Sequence, residues 1–330
     1  MNLSDWIRCL PNKAASAEFT NPAAQHLWRG YFFIAAATFC WGAAATAGKA
    51  LFQGSLFAGH ALISPVVLSQ TRTSFAVLVL AGFLGIRYGT DFFRISRQDL
   101  ALCATVGTLG LAGSNFFYYF AIQYSTVAIA ITLQYTAPVW VLLWMVLAGR
   151  ERLALLRLGS VVLALVGIAL TIGLFRSGAG LNLLGAGAAL LASFSFAFYN
   201  IVAQRLVARH HQLRIMLYVL LSASVFWLVI DPPWRLAAQH YSAAQWGFLF
   251  LFACCSTLLP YVFFFSGLKY LDPTRAVIAS CLEPVFAVLF AAAFVHESVH
   301  WLQVLGIVAV LAGTVMAQVG GKEQPLPEVV

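Results

Sequence analysis

The chain has 330 residues, 62% of them hydrophobic and only 9% charged, with a mean hydropathy of +0.87. Soluble domains carry about 25% charged residues, so a water-soluble fold is excluded. The net charge of +8 is dispersed among short loops between apolar segments and forms no single stripe, which excludes a nucleic-acid interface.

In chain order, residues 1–29 are polar, contain Pro11 and Pro22, and lack the basic, apolar, small-residue order of a cleavable leader. The first span is therefore expected to act as the insertion signal. Apolar stretches follow at roughly 31–52, 61–86, 100–122, 126–148, 156–175, 183–206, 213–231, 246–268, 273–295 and 301–320. Each holds about 20 residues, enough at ~1.5 Å rise to cross a hydrocarbon layer of about 30 Å. The expected fold class is an all-α integral membrane protein with ten transmembrane helices. Residues 321–330, with Pro325 and Pro327, read as a disordered tail.

Helix-start signals punctuate the same segmentation. Ser64-Pro65 and Asp272-Pro273 set a capping side chain before a first-turn proline, and Ser96 with Asp99 has capping-box spacing before the third span. With the N-terminus in the cytoplasm, the opposite side holds only Arg176 and Arg235 among the basic residues, while Lys49 and Arg72 fall inside spans. That bias is a strong positive-inside signal and places both termini in the cytoplasm. Five cysteines, Cys40, Cys103, Cys254, Cys255 and Cys281, lie in apolar segments and Cys9 on the cytoplasmic side, so no disulfide framework is expected.

The end of one half reads onto the end of the other at an offset of 146 residues. Tyr124 falls on Tyr270, Ala130 on Ala276, Pro138-Val139 on Pro284-Val285, Glu151 on Glu297 and Gly167 on Gly313. Repeats with an odd number of spans sit in opposite orientations. The expectation is two inverted five-helix repeats, 30–176 and 177–320, between cytoplasmic segments 1–29 and 321–330.

Arg72 and Glu283 sit at similar mid-membrane depth, where a charge left unpaired costs about 3 kcal/mol on insertion scales. They must pair with each other, face water or meet a ligand. One reading is a structural ion pair or a hydrated group. The other has Arg72 attract an anionic group of a solute, with Glu283 as competing partner or proton site. Lys49, near the outer end of its span, either snorkels to the headgroups or serves as a basic ligand at the outer mouth.

Pro138 and Pro284 lie near the middle of spans four and nine. Each removes a donor and clashes with the carbonyl four residues back, of Gln134 and Ser280, so they read as helix curvature or as hinges. Pro260 is a third candidate kink. Tyr118, Tyr119, Tyr199 and Tyr261, with Asn115, Gln134 and Asn200, supply hydroxyls and amides for a polar, aromatic-walled cavity. Tyr124, Tyr135, Gln123 and Gln204 carry similar groups.

His296-Glu297-Ser298-Val299-His300 matches H-E-x-x-H, the zinc-binding pattern of metalloproteases. It lies in the short connection between spans nine and ten, and Glu297 is repeat-equivalent to Glu151, which has no histidines beside it. An intramembrane zinc protease is therefore kept only as the alternative. No phosphate-cradling glycine loop occurs, which disfavours an ATP-driven pump.

Phe39-Cys40-Trp41-Gly42 with Lys49, then Arg72, Ala121-Ile122-Gln123-Tyr124, and Pro138 with Glu151 stand in that order in the first half. Leu282-Glu283-Pro284-Val285-Phe286, His296-Glu297 and Gln303-Val304-Leu305-Gly306 stand in the second. Over about residues 30–320 this order resembles the EamA-type ten-helix members of the drug/metabolite transporter superfamily. The resemblance implies a proton-coupled or facilitative carrier of the bacterial inner membrane, often an exporter of amino acids, metabolites or drugs, with a central cavity between inverted repeats. The expected function is export or exchange of a small amphipathic solute, amino-acid-like or carboxylate-bearing. Expected partners are that solute, a coupling proton, the lipid bilayer and a second copy of the chain as a homodimer. No enzyme activity, cofactor, metal or nucleic acid is expected.

Overall fold

The computed structural model describes residues 24–52, 63–124, 130, 133–150, 154–172, 182–294 and 300–319. Among the described residues every regular element is helical. Helix α1 spans Ala24–Phe52. Helix α2, Pro65–Tyr88, starts where the Ser64 hydroxyl accepts the Val67 N–H at 3.2 Å, with Pro65 in the first turn, where no donor is needed. It stops at Gly89, whose φ of 70° is left-handed backbone.

Helix α3, Arg97–Thr105, is capped by Ser96 and runs through a π-helical segment, Val106–Ala112, into α4, Gly113–Tyr124. Then come α5 (Ala137–Leu147), α6 (Leu155–Thr171), α7 (Leu183–Arg209), α8 (Gln212–Ile230) and the short α9 (Pro233–Ala237). Helix α10, Ala243–Ala253, opens on a full capping box of Ser242 and Gln245 and passes through a second π-helical segment, Cys254–Leu258, into α11, Leu259–Leu268. The chain continues in α12 (Pro273–Ser280), α13 (Leu282–Phe294) and α14 (Trp301–Val319).

Six of the described helical rods are long and apolar enough to cross a membrane: residues 66–88, 97–121, 183–209, 212–230, 243–268 and 273–290. α5, α6 and α14 are shorter apolar helices. The predicted caps at Ser64, Ser96 and Asp272 all form, each hydroxyl or carboxylate accepting a first-turn N–H. The stretches that carry Pro138 and Pro284, expected as curvature or hinges, are interrupted. A turn at Tyr135 and Thr136 precedes α5, and a turn at Cys281 separates α12 from α13. Because each proline then lies in the first turn of a new helix, its missing donor and its ring clash disappear together.

These features recur at the 146-residue offset. Ser96 and Ser242 cap the third and eighth rods, the π segments end at Ala112 and Leu258, and the breaks fall at Tyr135 and Cys281. A large core joins α2, α7, α8 and α11, with Trp227, Tyr199, Phe264 and Phe265 buried in it. Leucines and valines such as Leu155 and Val229 point outward, as a lipid-facing surface requires.

The α6–α14 pair makes the most extensive contact between helices. Glycine sets its closeness: a Cβ on Gly306 would lie 2.5 Å from the Thr171 nitrogen and 2.6 Å from the Gly167 oxygen. A Cβ on Gly313 would meet the Ser160 oxygen at 2.9 Å. Lipid is as apolar as the helices, so close packing and not water exclusion drives such an association. Gly306→Ala must spread the two backbones, and overpacking of this kind costs about 1–3 kcal/mol. A lowered thermal unfolding midpoint in detergent is expected for Gly306→Ala, with no comparable drop for Gly187→Ala, which meets nothing within 4 Å.

Candidate functional site

The two interrupted spans meet at the centre of the molecule. The Tyr135 hydroxyl, in the turn before α5, donates to Oε2 of Glu283 at 2.7 Å. Glu283 lies in the first turn of α13, where the free N–H groups and the helix dipole favour a carboxylate. The first break is fastened to its neighbours: Gln134 donates to Ser114 at 3.1 Å, Ser114 donates to the Ala192 carbonyl at 3.2 Å, and the Thr136 and Ser193 hydroxyls are hydrogen-bonded at 2.9 Å.

Arg72 projects into the same region from the eighth position of α2. Its neighbours look after themselves, since the Thr71 hydroxyl donates to the Val67 carbonyl at 2.7 Å and that of Thr73 to the Ser69 carbonyl at 2.9 Å. Arg72 does not. Its Nε is buried without a hydrogen-bond partner, and among the described residues no ion pair joins it to Glu283 or to any other acid. It nevertheless lies within electrostatic reach of both Glu283 and Tyr261. Tyr118 and Tyr119, with ring centroids 5.6 Å apart, belong to the same electrostatic neighbourhood. Trp41 of α1 packs edge-on against Tyr261 at 5.3 Å.

Arg72, Glu283, Tyr118 and Tyr119 are half-buried, and Tyr261 is 7% exposed. Asn115 is half-buried on α4 beside Ser114, and Gln134 is held in the network above. Tyr199 and Asn200 are packed into the wall. Tyr199 is 1% exposed and stacks on Phe264 at 5.8 Å, with its hydroxyl unpartnered. Asn200 donates to the Phe196 carbonyl at 2.8 Å and leaves its Oδ1 unpartnered. Tyr124 is 41% exposed and its ring lies tilted against that of Phe120 at 4.7 Å.

Pro138 and Pro284 stand in the first turns of α5 and α13, just beyond the breaks, while Pro260 lies within the continuous 243–268 rod, next to its π-helical segment. The π-helical segment before Pro260 absorbs the strain its ring would impose on the carbonyl of Ser256. The side chains of Lys49 and Gln123, and residues Glu151, His296 and Glu297, lie outside what is described. His300 is described, and its backbone N–H donates to the Gln303 side chain at 2.9 Å at the start of α14.

A second charged group was not foreseen from sequence. Arg157 of α6 donates through both terminal nitrogens to the two Asp272 oxygens, at 3.3 and 3.4 Å. Asp272 also accepts the Arg275 N–H at 2.8 Å, and the Arg275 Nε lies 3.2 Å from its other oxygen. The Tyr31 hydroxyl of α1 is buried among these charges. The eight residues of α12 separate this cluster from the Cys281 break by about 12 Å, so it closes one end of the bundle. The local signals were an acid before Pro273 and a base three residues on, which capping alone explained.

Two clefts open elsewhere. One of about 490 Å³ lies between Ser64, Val67, Asp231 and Arg235, and one of about 460 Å³ is an apolar groove lined by Phe116, Phe117 and Leu184. Neither contains the central charges. The cost of an unpaired cation at depth makes the Arg72 region the stronger candidate.

A family model described as the EamA-like transporter family matches residues 28–173 and again 183–318. An inner membrane transporter of Salmonella typhimurium, YicL, is 23% identical over 304 residues, covering 90% of this chain and 97% of that protein. The threonine/homoserine exporter RhtA of Escherichia coli K12 is 28% identical over 268 residues, covering 81% and 85%. A transporter of Archaeoglobus fulgidus is 30% identical over 227 residues, covering 68% and 78%. A solved crystal structure shares the fold with a TM-score of 0.69 at 18% identity, over 89% of this chain and 97% of that chain.

Removing the Tyr135 hydroxyl leaves the Glu283 carboxylate without its short partner in a place poor in water. Loss of a hydrogen bond to a charged group costs about 1.5–3 kcal/mol. Tyr135→Phe is expected to lower the unfolding midpoint of the detergent-purified protein, whereas Tyr118→Phe shifts it little. Equal midpoints for the wild type and both variants would refute the tie between the two broken spans.

Proposed function

We infer that this chain, which belongs to the EamA-like transporter family, carries a small amphipathic solute bearing a carboxylate, amino-acid-like in kind, through the space around Arg72 and Glu283. The observation that carries this reading is the Arg72 guanidinium, which has a buried nitrogen without a partner although a carboxylate lies within its electrostatic reach. Glu283 is held by Tyr135 instead, and the cation is left for a visiting anion. The starts of α5 and α13 at the breaks add about half a positive charge each. Tyr118, Tyr119, Tyr261 and Trp41 offer faces for the apolar part of the cargo.

The proposed mechanism is alternating access between two inverted five-helix repeats, 30–176 and 177–320, making ten spans with both termini in the cytoplasm. Three observations support it. Caps, π segments and breaks recur at one offset, and the family model matches twice. The α6–α14 contact is reciprocal, because Gly167 meets Gly306 while their repeat equivalents Gly313 and Ser160 meet each other. In this topology Arg157, Asp272 and Arg275 close the cytoplasmic end, so opening toward the cytoplasm requires parting a buried ion cluster. Glu283 is the proposed proton site, and a second copy of the chain the proposed oligomeric partner. Export or exchange of an amino acid is favoured by the likeness to a protein named as a threonine/homoserine exporter.

The test is counterflow in proteoliposomes with threonine, homoserine and a mixture of carboxylate metabolites, with and without a pH gradient. A charge-assisted contact of about 1.5–3 kcal/mol corresponds to a loss of roughly 10- to 150-fold in kcat/KM for Arg72→Ala, with partial retention in Arg72→Lys. Wild-type transport by a normally folded Arg72→Ala variant would overturn the assignment.

A further inference from the structure

A second group of unpaired arginines lies far from the central site. Gly149, with φ of 64°, ends α5 in a Schellman arrangement in which the Gly149 N–H donates to the Val146 carbonyl and the Arg150 N–H to the Met145 carbonyl, both at 2.9 Å. This fixes the backbone of Arg150 just beyond the helix end. Met145 of that last turn shares a buried cluster with Ile201 of α7, against which Trp144 also packs, and Arg205 and Arg209 follow Ile201 at successive four-residue steps, on the same side of α7. The three arginines act electrostatically on one another. Arg205 is half-buried, and its Nη2 is buried with no hydrogen-bond partner.

Like charges do not gather without compensation, and little is available here. The carboxyl ends of α5 and α7 contribute about half a negative charge each. Asp99 acts on Arg209, but one of its oxygens is already shared by Ser96 at 2.7 Å and His210 at 2.9 Å. Among the described residues no acid pairs with Arg150 or Arg205. Glu151, which lies outside the described residues, is flanked in sequence by Arg150 and Arg152, so the segment stays basic even with its charge included.

We propose that Arg150, Arg205 and Arg209 form a binding site for a phosphate-bearing anion at the end of the bundle assigned above to the cytoplasm. A guanidinium fork matches the oxygens of a phosphate, and basic pockets between spans on that side of a membrane suit anionic headgroups. The phosphate comes either from an anionic phospholipid or from solution, and the two sources are separable by experiment. The site is distinct from the solute site and does not depend on what the protein carries.

The experiment titrates the purified full chain with a short-chain phosphatidylglycerol, with the matching phosphatidylcholine and with inorganic phosphate, and reads bound stoichiometry by native mass spectrometry and the shift in unfolding midpoint. One saturable equivalent of phosphatidylglycerol or of phosphate is expected, and it identifies the lipid or the free anion as the source. Binding of that ligand should weaken about thirtyfold in R150Q/R205Q, at roughly 1 kcal/mol per arginine, and stay unchanged in R87Q/R97Q, two exposed arginines on other elements. Arg150→Gln, which alters only a residue outside every helix, carries the test where the double variant fails to fold. The site is rejected where neither probe saturates, where R150Q/R205Q or R150Q binds as the wild type does, or where R87Q/R97Q loses as much.

Discussion

An arginine without a partner in the middle of an apolar bundle is the constraint around which the rest of this structure is arranged. Leaving Arg72 uncompensated costs about 3 kcal/mol, a large share of the 5–15 kcal/mol by which proteins are stable. The simplest remedy, an ion pair with Glu283, is not taken; that carboxylate accepts the Tyr135 hydroxyl at 2.7 Å instead. A protein selected only for stability has no use for this division. A carrier does, since a cation already saturated by an internal acid has little differential affinity left for cargo.

The division depends on the two helix breaks. Continuous helices through Tyr135 and Cys281 would point no free N–H groups at the centre and would bring no tyrosine hydroxyl across to Glu283. The prolines at 138 and 284 make the new helix starts inexpensive, and each of the rods 97–121 and 243–268 carries a π-helical segment. The glycine crossing of α6 and α14 is tight enough to leave no room for a methyl group, and residues of both helices share one buried cluster with Tyr135 and Cys281.

Much of the helical plan was legible in the chain. Ser64, Ser96 and Asp272 act within three residues of themselves, so their capping can be read locally. Depth along a span was also readable, which brought Arg72 and Glu283 to notice. Contacts between distant residues were not. Tyr135 and Glu283 are 148 residues apart, and Arg157 and Asp272 are 115 apart. Nothing in either segment says which tyrosine or arginine its acid will meet. Pro138 and Pro284 were legible as helix curvature or as hinges but not as helix starts, because whether a helix bends at a proline or ends before it depends on what can receive the freed backbone groups. For Tyr199 and Asn200, a polar side chain at depth looked the same in sequence whether it faced a cavity or a wall of aromatic rings.

The account turns on Arg72 engaging a carboxylate of the cargo, and the direct measurement is competition in counterflow between the transported acid and two analogues that lack its anionic group, the decarboxylated amine and the methyl ester. Strong inhibition by the free acid and at least tenfold weaker inhibition by both analogues is the expected result, with the difference abolished when Arg72 is replaced by alanine. Equal competition by the amine, the ester and the acid would contradict it.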